Sequence, residues 1–205
     1  RDFEHFRTPL IVNSPGMEPN LDPFEIDGGR GLITSPEYSM KKLLGAGFEK
    51  IYTITSTFRN NEPKNLHNIP EFVMLEWYSP GSYEDLMSQT QELLKFVLED
   101  SASWPRFKYQ EANMDEHGDP HVERDRFFVT HYPTEQAALA NISSDGGFAE
   151  RFEAFADGFE LCNGFSELID STEQRKRFEK EQEDRRGLGK TVFPIDEELL
   201  NALDG

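Results

Sequence analysis

The sequence predicts an α+β fold, and three features carry that expectation. Two strand-like runs, Ile51–Arg59 and Val73–Tyr78, flank a polar loop and read as a β-hairpin. Two helices carry explicit start signals, one at Ser35–Pro36 and one at Ser82–Asp85. A further strand-like run, FFVTHYP (127–133), lies well beyond the hairpin.

Taken in order, residues 1–12 read as the end of an element leading into a strand, with Pro9 at a bend. A Pro/Gly-rich loop follows (SPGMEPNLDPF, 14–24), then a turn at DGGRG (27–31) and a short strand at Leu32–Thr34. SPEYSMKKLLGAG places Ser35 as N-cap, Pro36 at the first helical position and Gly45 as the stop. Glu37 falls in the first turn, where the helix dipole favours its charge. After the hairpin, Ser82 and Asp85 form a capping box, and Leu86, Met87, Leu93, Leu94, Val97 and Leu98 trace an apolar stripe.

Residues 101–126 are polar and irregular and read as a surface connector. His117 and His121 are four apart, but Gly118 and Pro120 break the helix that would aim both at a metal. Beyond the 127–133 strand, Thr134 starts a short helix, EQAALANI. Glu150–Ala156 and GFELCNGFSELID (158–170) follow, then a charged helix, STEQRKRFEKEQEDRR, with a solvated face. Asp196 caps a last helix ending at Gly205. GLGK (187–190) lacks the spacing and preceding strand of a phosphate loop.

At 205 residues, 36% of them apolar and 17 of them Phe, the chain can bury one sizeable core. We expect a single domain over 1–205. The formal net charge of −18 argues against a surface built to grip a phosphate backbone and suits a basic protein partner better. A single cysteine, Cys162, excludes an intrachain disulfide and agrees with a reducing cytoplasm. No apolar run approaches the roughly 20 residues of a membrane span. The chain shows no signal-peptide pattern and begins at Arg1 rather than Met, as a piece of a longer chain would.

Two constellations could carry chemistry. Alternation puts Thr53, Thr55, Thr57 and Arg59 on one face of the first hairpin strand, and Met74, Glu76 and Tyr78 on one face of the second. An arginine near two ordered polar groups is a floor for an anion beside an amine; an amphipathic hairpin in a mixed sheet fits the same pattern. In the second constellation, Glu160 and Glu167 are seven apart, which sends them to opposite faces of a regular strand. A bulge near Asn163–Gly164 would reset the alternation and bring both carboxylates to one face, able to hold Mg²⁺ or an ammonium group.

TSPEYSMKKLL (34–44), FRNNEPKNLHNIPEFVMLEWY (58–78) and FELCNGFSELID (159–170), in this order, resemble the catalytic domain of class II lysyl-tRNA synthetases. The LEWY ending of the hairpin, the SPGMEP loop, THYPTEQAALANIS (130–143) and the compact spacing resemble the short paralogues that modify elongation factor P. The resemblance covers nearly the whole chain apart from 101–126. It implies an antiparallel class II synthetase sheet flanked by helices, and a homodimer. It implies ATP and Mg²⁺ as cofactors, lysine or β-lysine as substrate, an aminoacyl-adenylate intermediate, and elongation factor P rather than tRNA as acceptor.

Position by position, the resemblance makes Arg59 the catalytic arginine on the α-phosphate. Asn60, Asn61, Asn68, Glu160 and Leu161 fall in the ATP site. Ser35, Pro36 and Glu37 fall where the substrate amine is read, and Glu76, Tyr78, Phe165 and Glu167 where the amino acid sits. Glu160 and Glu167 become the Mg²⁺ carboxylates, with Glu167 toward the side-chain ammonium beside Tyr78. The chain departs from the family at several points. Asn61 replaces the usual Glu of Phe-Arg-x-Glu, Ile69 is an extra residue before Pro70–Glu71, and Cys162 replaces a small alanine-like residue. The glycine-rich third motif and most of the first are absent, so the fold is expected to be incomplete. Two other readings stay open: a lysyl-tRNA synthetase domain that charges tRNA, and a non-catalytic synthetase-like binding module.

Overall fold

The computed structural model describes residues 2–61, 69–99, 101–114 and 120–204. In chain order they form β1 (Glu4–His5), β2 (Ile11–Val12), β3 (Glu25–Ile26), β4 (Arg30–Leu32), α1 (Glu37–Gly45), β5 (Ile51–Phe58), β6 (Glu71–Tyr78) and α2 (Tyr83–Val97). Then come β7 (Arg106–Lys108), β8 (Asn113–Met114), β9 (Pro120–His121), β10 (Arg126–Tyr132), β11 (Ala149–Ala156), β12 (Phe159–Phe165), α3 (Ser171–Gly187) and α4 (Glu197–Leu203). The chain divides into two compact units, Arg1–Pro80 with Ile169–Gly205, and Gly81–Leu168.

In the first unit the hairpin forms as the alternation predicts. β5 and β6 pair antiparallel in register from Ile51↔Tyr78 to Phe58↔Glu71, and β1 adds to β5 in parallel. One face carries Thr53 and Thr57, both fully buried, across from Glu76 and Phe72. The other face carries Ile54, Val73 and Leu75, of which Val73 is 67% exposed. A second small sheet, β2-β4-β3, turns through Gly28 and Gly29 at positive φ. The strand expected at Leu32–Thr34 begins earlier, at Arg30, because Ile33 and Thr34 instead bond to Leu10 and Pro15 carbonyls.

Helix α1 starts one residue later than expected. Pro36 is the cap residue, and Ser35 Oγ accepts from the Glu37 N–H at 3.4 Å. The helix ends at Gly45 as expected, and the left-handed turn follows at Gly47, φ 95°. What Gly45 provides is room, since a Cβ there would stand 2.6 Å from the Cβ of Ala202 on α4. Asp196 caps α4 as expected, and Lys42 of α1 pairs with the same carboxylate at 2.6 Å. The helix ends at Leu203 rather than Gly205. The face of α3 is not all solvated: Gln174, Phe178 and Arg185 are buried.

The second unit is built on a four-stranded ladder in the order β12-β11-β10-β7. β10 is buried on both faces, which is why FFVT reads as a continuous run rather than alternating. Phe127 stacks on Phe155 at 5.1 Å on one side, and Phe128 meets Phe152 and Trp104 on the other. Gly164 is required by this packing, because a Cβ would stand 2.5 Å from Phe152 Cζ. Within the stretch read as an irregular connector, Arg106–Lys108 joins β10 in parallel. The helix expected at 134–142 is a single turn, Thr134–Gln136; beyond it Ala140 and Ile142 bridge to Glu167 and Ala149 instead. Helix α2 has the predicted capping box, and Met87 is buried, but its stripe fails at the end, where Val97 is 63% exposed.

Candidate active site

The hairpin root is fixed by three neighbouring segments. The Phe58 N–H bonds to the Ile33 carbonyl at 2.9 Å, and the Arg59 N–H to the Pro70 carbonyl at 3.0 Å. Arg59 Nε donates to the carbonyl of Thr34 at 3.4 Å, and its guanidinium lies 5.3 Å from the Phe72 ring centroid. The arginine is thus held beside the loop that delivers Ser35, Pro36 and Glu37 to the start of α1. Asn60 donates its N–H to the Asp22 carbonyl at 2.6 Å, and Asn61 Nδ2 donates to Asp22 Oδ2 at 3.3 Å. Asn61 has φ 59°, a left-handed conformation that Asn tolerates well. Asn68, expected in the ATP site, lies outside the described residues.

Glu76 and Tyr78 share a face, as alternation requires, and the Tyr78 hydroxyl donates to Glu76 Oε1 at 2.9 Å. The pair is therefore already coupled as one polar unit, a carboxylate with its own hydroxyl donor.

Glu37 is paired with Lys41 at 2.7 Å, and that lysine is only 3% exposed. Around it the structure assembles two acids that sequence reasoning missed, Glu18 and Glu181. Burial is the main cause raising the Glu18 carboxyl, Glu37 adds to it and Arg59 opposes it. Burial likewise pushes Glu181 up to about 8, reinforced by Glu18 and Glu37. Glu181 sits in the charged run read as a solvated face, so its i,i+4 charge pattern hid it. Glu18 sits in the Pro/Gly-rich loop, where nothing in the sequence marks it as buried.

In the second unit the expected bulge exists, at Leu161 rather than at Asn163–Gly164. Ala154 pairs with Cys162 and Phe155 with Glu160, so Leu161 is the extra residue. Beyond the bulge, Asn163 and Phe165 fall on the Glu160 face, and the same alternation extended past the strand end reaches Glu167. Glu160 is exposed and Leu161 is 42% exposed, whereas Phe165 packs against the core and Glu167 Oε2 is buried. Among the described residues, no three His, Cys, Asp or Glu side chains could hold a metal by themselves. Mg²⁺ keeps waters and takes phosphate oxygens alongside one or two carboxylates, so carboxylates are the donor type it would use here. Cys162 is inert, because burial pushes its thiol up to about 12. Of the two histidines weighed for a metal, His121 is an exposed strand residue paired with Asn113, and His117 lies outside the described residues.

Two concavities of the second unit, of about 530 and about 360 Å³, contain none of the expected site residues. The smaller is lined by Arg106, Lys108, Glu84 and Glu111 with His131, charges of both signs.

The profile of the family "tRNA synthetases class II (D, K and N)" matches residues 1–204. The chain is 40% identical to the elongation factor P–(R)-β-lysine ligase of Edwardsiella ictaluri over 218 residues, covering 84% of this chain and 66% of that protein. The protein of the same name from Photobacterium profundum is 36% identical, covering 99% and 81%. That from an Enterobacter species is 38% identical, covering 96% and 76%. The chain thus spans between 66% and 81% of the length of these relatives. With Arg59 at the root of the hairpin, the Ser35–Glu37 turn beside it and a profile match through both units, the chain belongs to the class II tRNA synthetase family of the D, K and N type.

Proposed function

We propose that this protein is an ATP-dependent ligase that activates lysine or β-lysine and transfers it to a lysine of elongation factor P. It acts as a homodimer in the cytoplasm, with residues 1–205 working as one catalytic domain. The observation that carries this reading is Arg59, tied to the Thr34 carbonyl at the entrance to Ser35–Glu37. That contact puts a fixed positive charge next to a carboxylate-bearing turn. Activation of an amino acid needs this pairing, because the carboxylate that attacks phosphorus and the amine that must be recognised are only one or two carbons apart. The names of the relatives, all elongation factor P–(R)-β-lysine ligases, support the substrate and the acceptor.

In the first step the substrate carboxylate attacks the α-phosphorus of ATP, the bond to the β-phosphate oxygen breaks, and pyrophosphate leaves. Arg59 stabilises the charge that builds on the α-phosphate oxygens, and Asn60, Asn61 and Asn68 line the nucleotide site. Ser35, Pro36 and Glu37 hold the amine end, fixing carboxylate and phosphorus in line. Glu76 with Tyr78, and Phe165 with Glu167, receive the side chain; a buried ammonium requires such carboxylate and hydroxyl partners. Glu160 and Glu167 would hold Mg²⁺, which would supply positive charge to offset the negative charge of the phosphates. In the second step the ε-amine of the acceptor lysine attacks the acyl carbon, AMP leaves, and the amine loses a proton to give an amide. A net charge of −18 suits a protein acceptor better than a polyanion.

The family profile favours a second reading, in which the acyl group goes to tRNA. One assay separates the readings, run on protein expressed from its whole reading frame. ATP–pyrophosphate exchange is measured with lysine and with β-lysine, then acyl transfer to elongation factor P and to tRNA. The expected result is exchange followed by transfer to the protein. Transfer to tRNA alone would overturn the acceptor, and no exchange with either amino acid would overturn both readings.

A further inference from the structure

The loop 14–24 is pressed into the first unit and clamped there. Arg185 of α3, 1% exposed, donates to the carbonyls of Glu18 and Leu21 at 3.0 and 2.8 Å. Lys190 donates to the Pro19 carbonyl at 2.8 Å, and its ammonium pairs with Asp22 at 3.0 Å. Gly16, with φ 153°, permits the close approach: a Cβ there would stand 2.6 Å from Thr34 Oγ1 and 3.0 Å from Glu18 Oε2. The carboxylate of Glu18 is therefore delivered to the Thr34 segment, the segment that Arg59 touches and that opens into Glu37.

Two polar groups here are left short of partners. Glu18 Oε2 is buried and makes no hydrogen bond, although backbone N–H groups of Met17 and Glu18 face the carboxylate. Tyr38, 8% exposed, lies in the field of Glu18, Glu37 and Glu181, and its hydroxyl makes no hydrogen bond of ordinary geometry. Buried polar atoms in this condition call for a ligand that completes them.

The chemistry of that ligand follows from the charges. Three carboxylates share the neighbourhood, and the ammonium of Lys41 is already engaged with Glu37. An anion would be repelled. A divalent ion would need a convergent donor set, which the described residues do not offer. An ammonium group supplies one positive charge and three N–H donors, and it replaces the proton that the cluster otherwise keeps.

Building on the ligase reading above, we propose that Glu18 is a specificity-determining residue. Together with Glu37 it receives the ammonium group nearest the reacting carboxylate of the amino-acid substrate. The location beside Arg59 selects that amine rather than the distant side-chain ammonium. An α- or β-amine lies within one or two carbons of the carboxylate, whereas the ε-amine is several carbons further on. Glu18 thus distinguishes amino acids from simple ω-amino acids.

The test uses Glu18→Gln and Glu18→Asp in protein expressed from the whole reading frame. Pyrophosphate exchange is measured with lysine, with β-lysine, and with 6-aminohexanoate, which lacks an amine near the carboxylate. The Gln variant is expected to lower the kcat/KM ratio of the preferred lysine isomer over 6-aminohexanoate by about tenfold or more. The KM for ATP should stay within about twofold, and the Asp variant, which keeps the charge, should recover part of the ratio. A purely structural role would lower activity on all substrates alike and leave the ratio unmoved. That outcome, with an active wild type, overturns this inference alone. A wild type inactive with every amino acid removes the ligase reading and this inference with it. Should Glu18→Gln not fold, the Asp variant still decides, by a shifted or an unshifted ratio.

Discussion

The two units each bury a glutamate beside a tyrosine, and they treat it in opposite ways. In the second unit Glu153 accepts from the Tyr132 hydroxyl at 2.5 Å and pairs with Arg151. That guanidinium also donates to Asn163 at 3.0 Å and lies 4.6 Å from the Tyr132 ring centroid. Burial, with Glu153 next, drives the Tyr132 phenol far above its ordinary range, so it is a permanent donor. In the first unit Glu18, Glu181 and Tyr38 share a field without completing one another. A finished network locks a core, whereas an unfinished one beside Arg59 is where a ligand belongs. Burial alone, common to both, does not tell the two apart; partner inventory does.

The difference can be broken at its strongest point with Arg59→Ala. Removing this donor should cut adenylate formation by about 10³-fold. Its weak ground-state contacts imply a loss of stability of only about 1 kcal/mol or less, so thermal melting should hardly move. An active Arg59→Ala enzyme would place the phosphate site elsewhere. The opposite signature is expected of Glu153→Ala. Leaving Tyr132 and Arg151 without their carboxylate should cost about 3 kcal/mol in urea unfolding, while the KM for the amino acid is unchanged.

A smaller effect sharpens the contrast through pH. The folded-state Glu181 carboxyl is raised from the ordinary 4.5 to about 8. The folded chain therefore keeps a proton that the unfolded chain has lost, and stability from this group falls as pH rises from about 4.5 to about 8. The slope is at most about 1.4 kcal/mol per pH unit. Glu181→Gln should flatten it, most visibly as a higher melting temperature at pH 8 than the wild type has. An identical pH profile for both proteins would remove Glu181 from the cluster. Least of all, His121→Ala on its exposed strand should change stability by less than about 0.5 kcal/mol and leave exchange untouched.

Much of the architecture was legible because local chemistry and final structure agree. The β5–β6 register follows from alternation, and the Ser82–Asp85 box and the Asp196 cap are fixed by side chains within one turn. Misreadings and omissions arose where distant segments decide. Gly45 was rightly read as the helix stop, but the second demand on it, small size against Ala202, comes from far along the chain. The 134–142 segment has helical composition, yet its backbone is claimed by Glu167 and Ala149. The candidate site divides the same way. Arg59, Glu76 and Tyr78 were visible as residues of one face, whereas Glu18, Glu181 and Asp22 gain meaning only once a loop and a distant helix meet. The bulge that resets Glu160 was foreseen in kind but not in place, since no glycine marks Leu161.

The clamp of Arg185 on the Glu18–Leu21 carbonyls joins residues 167 and 164 positions apart. On the ribosome this imposes an order. The span 81–168 contains all of its own ladder partners and can pack as it emerges. The loop bearing Glu18 must wait for α3, a delay of roughly 10–30 seconds at usual elongation rates of about 5–20 residues per second. Throughout that interval the nascent chain carries Arg59 and its hairpin without Glu181 or the clamp that fixes the Glu18 loop. On the proposed role of Glu18, competence to select substrate would be acquired late in synthesis, and substitutions that loosen Arg185 should depress the yield of active enzyme more than the stability of molecules already folded.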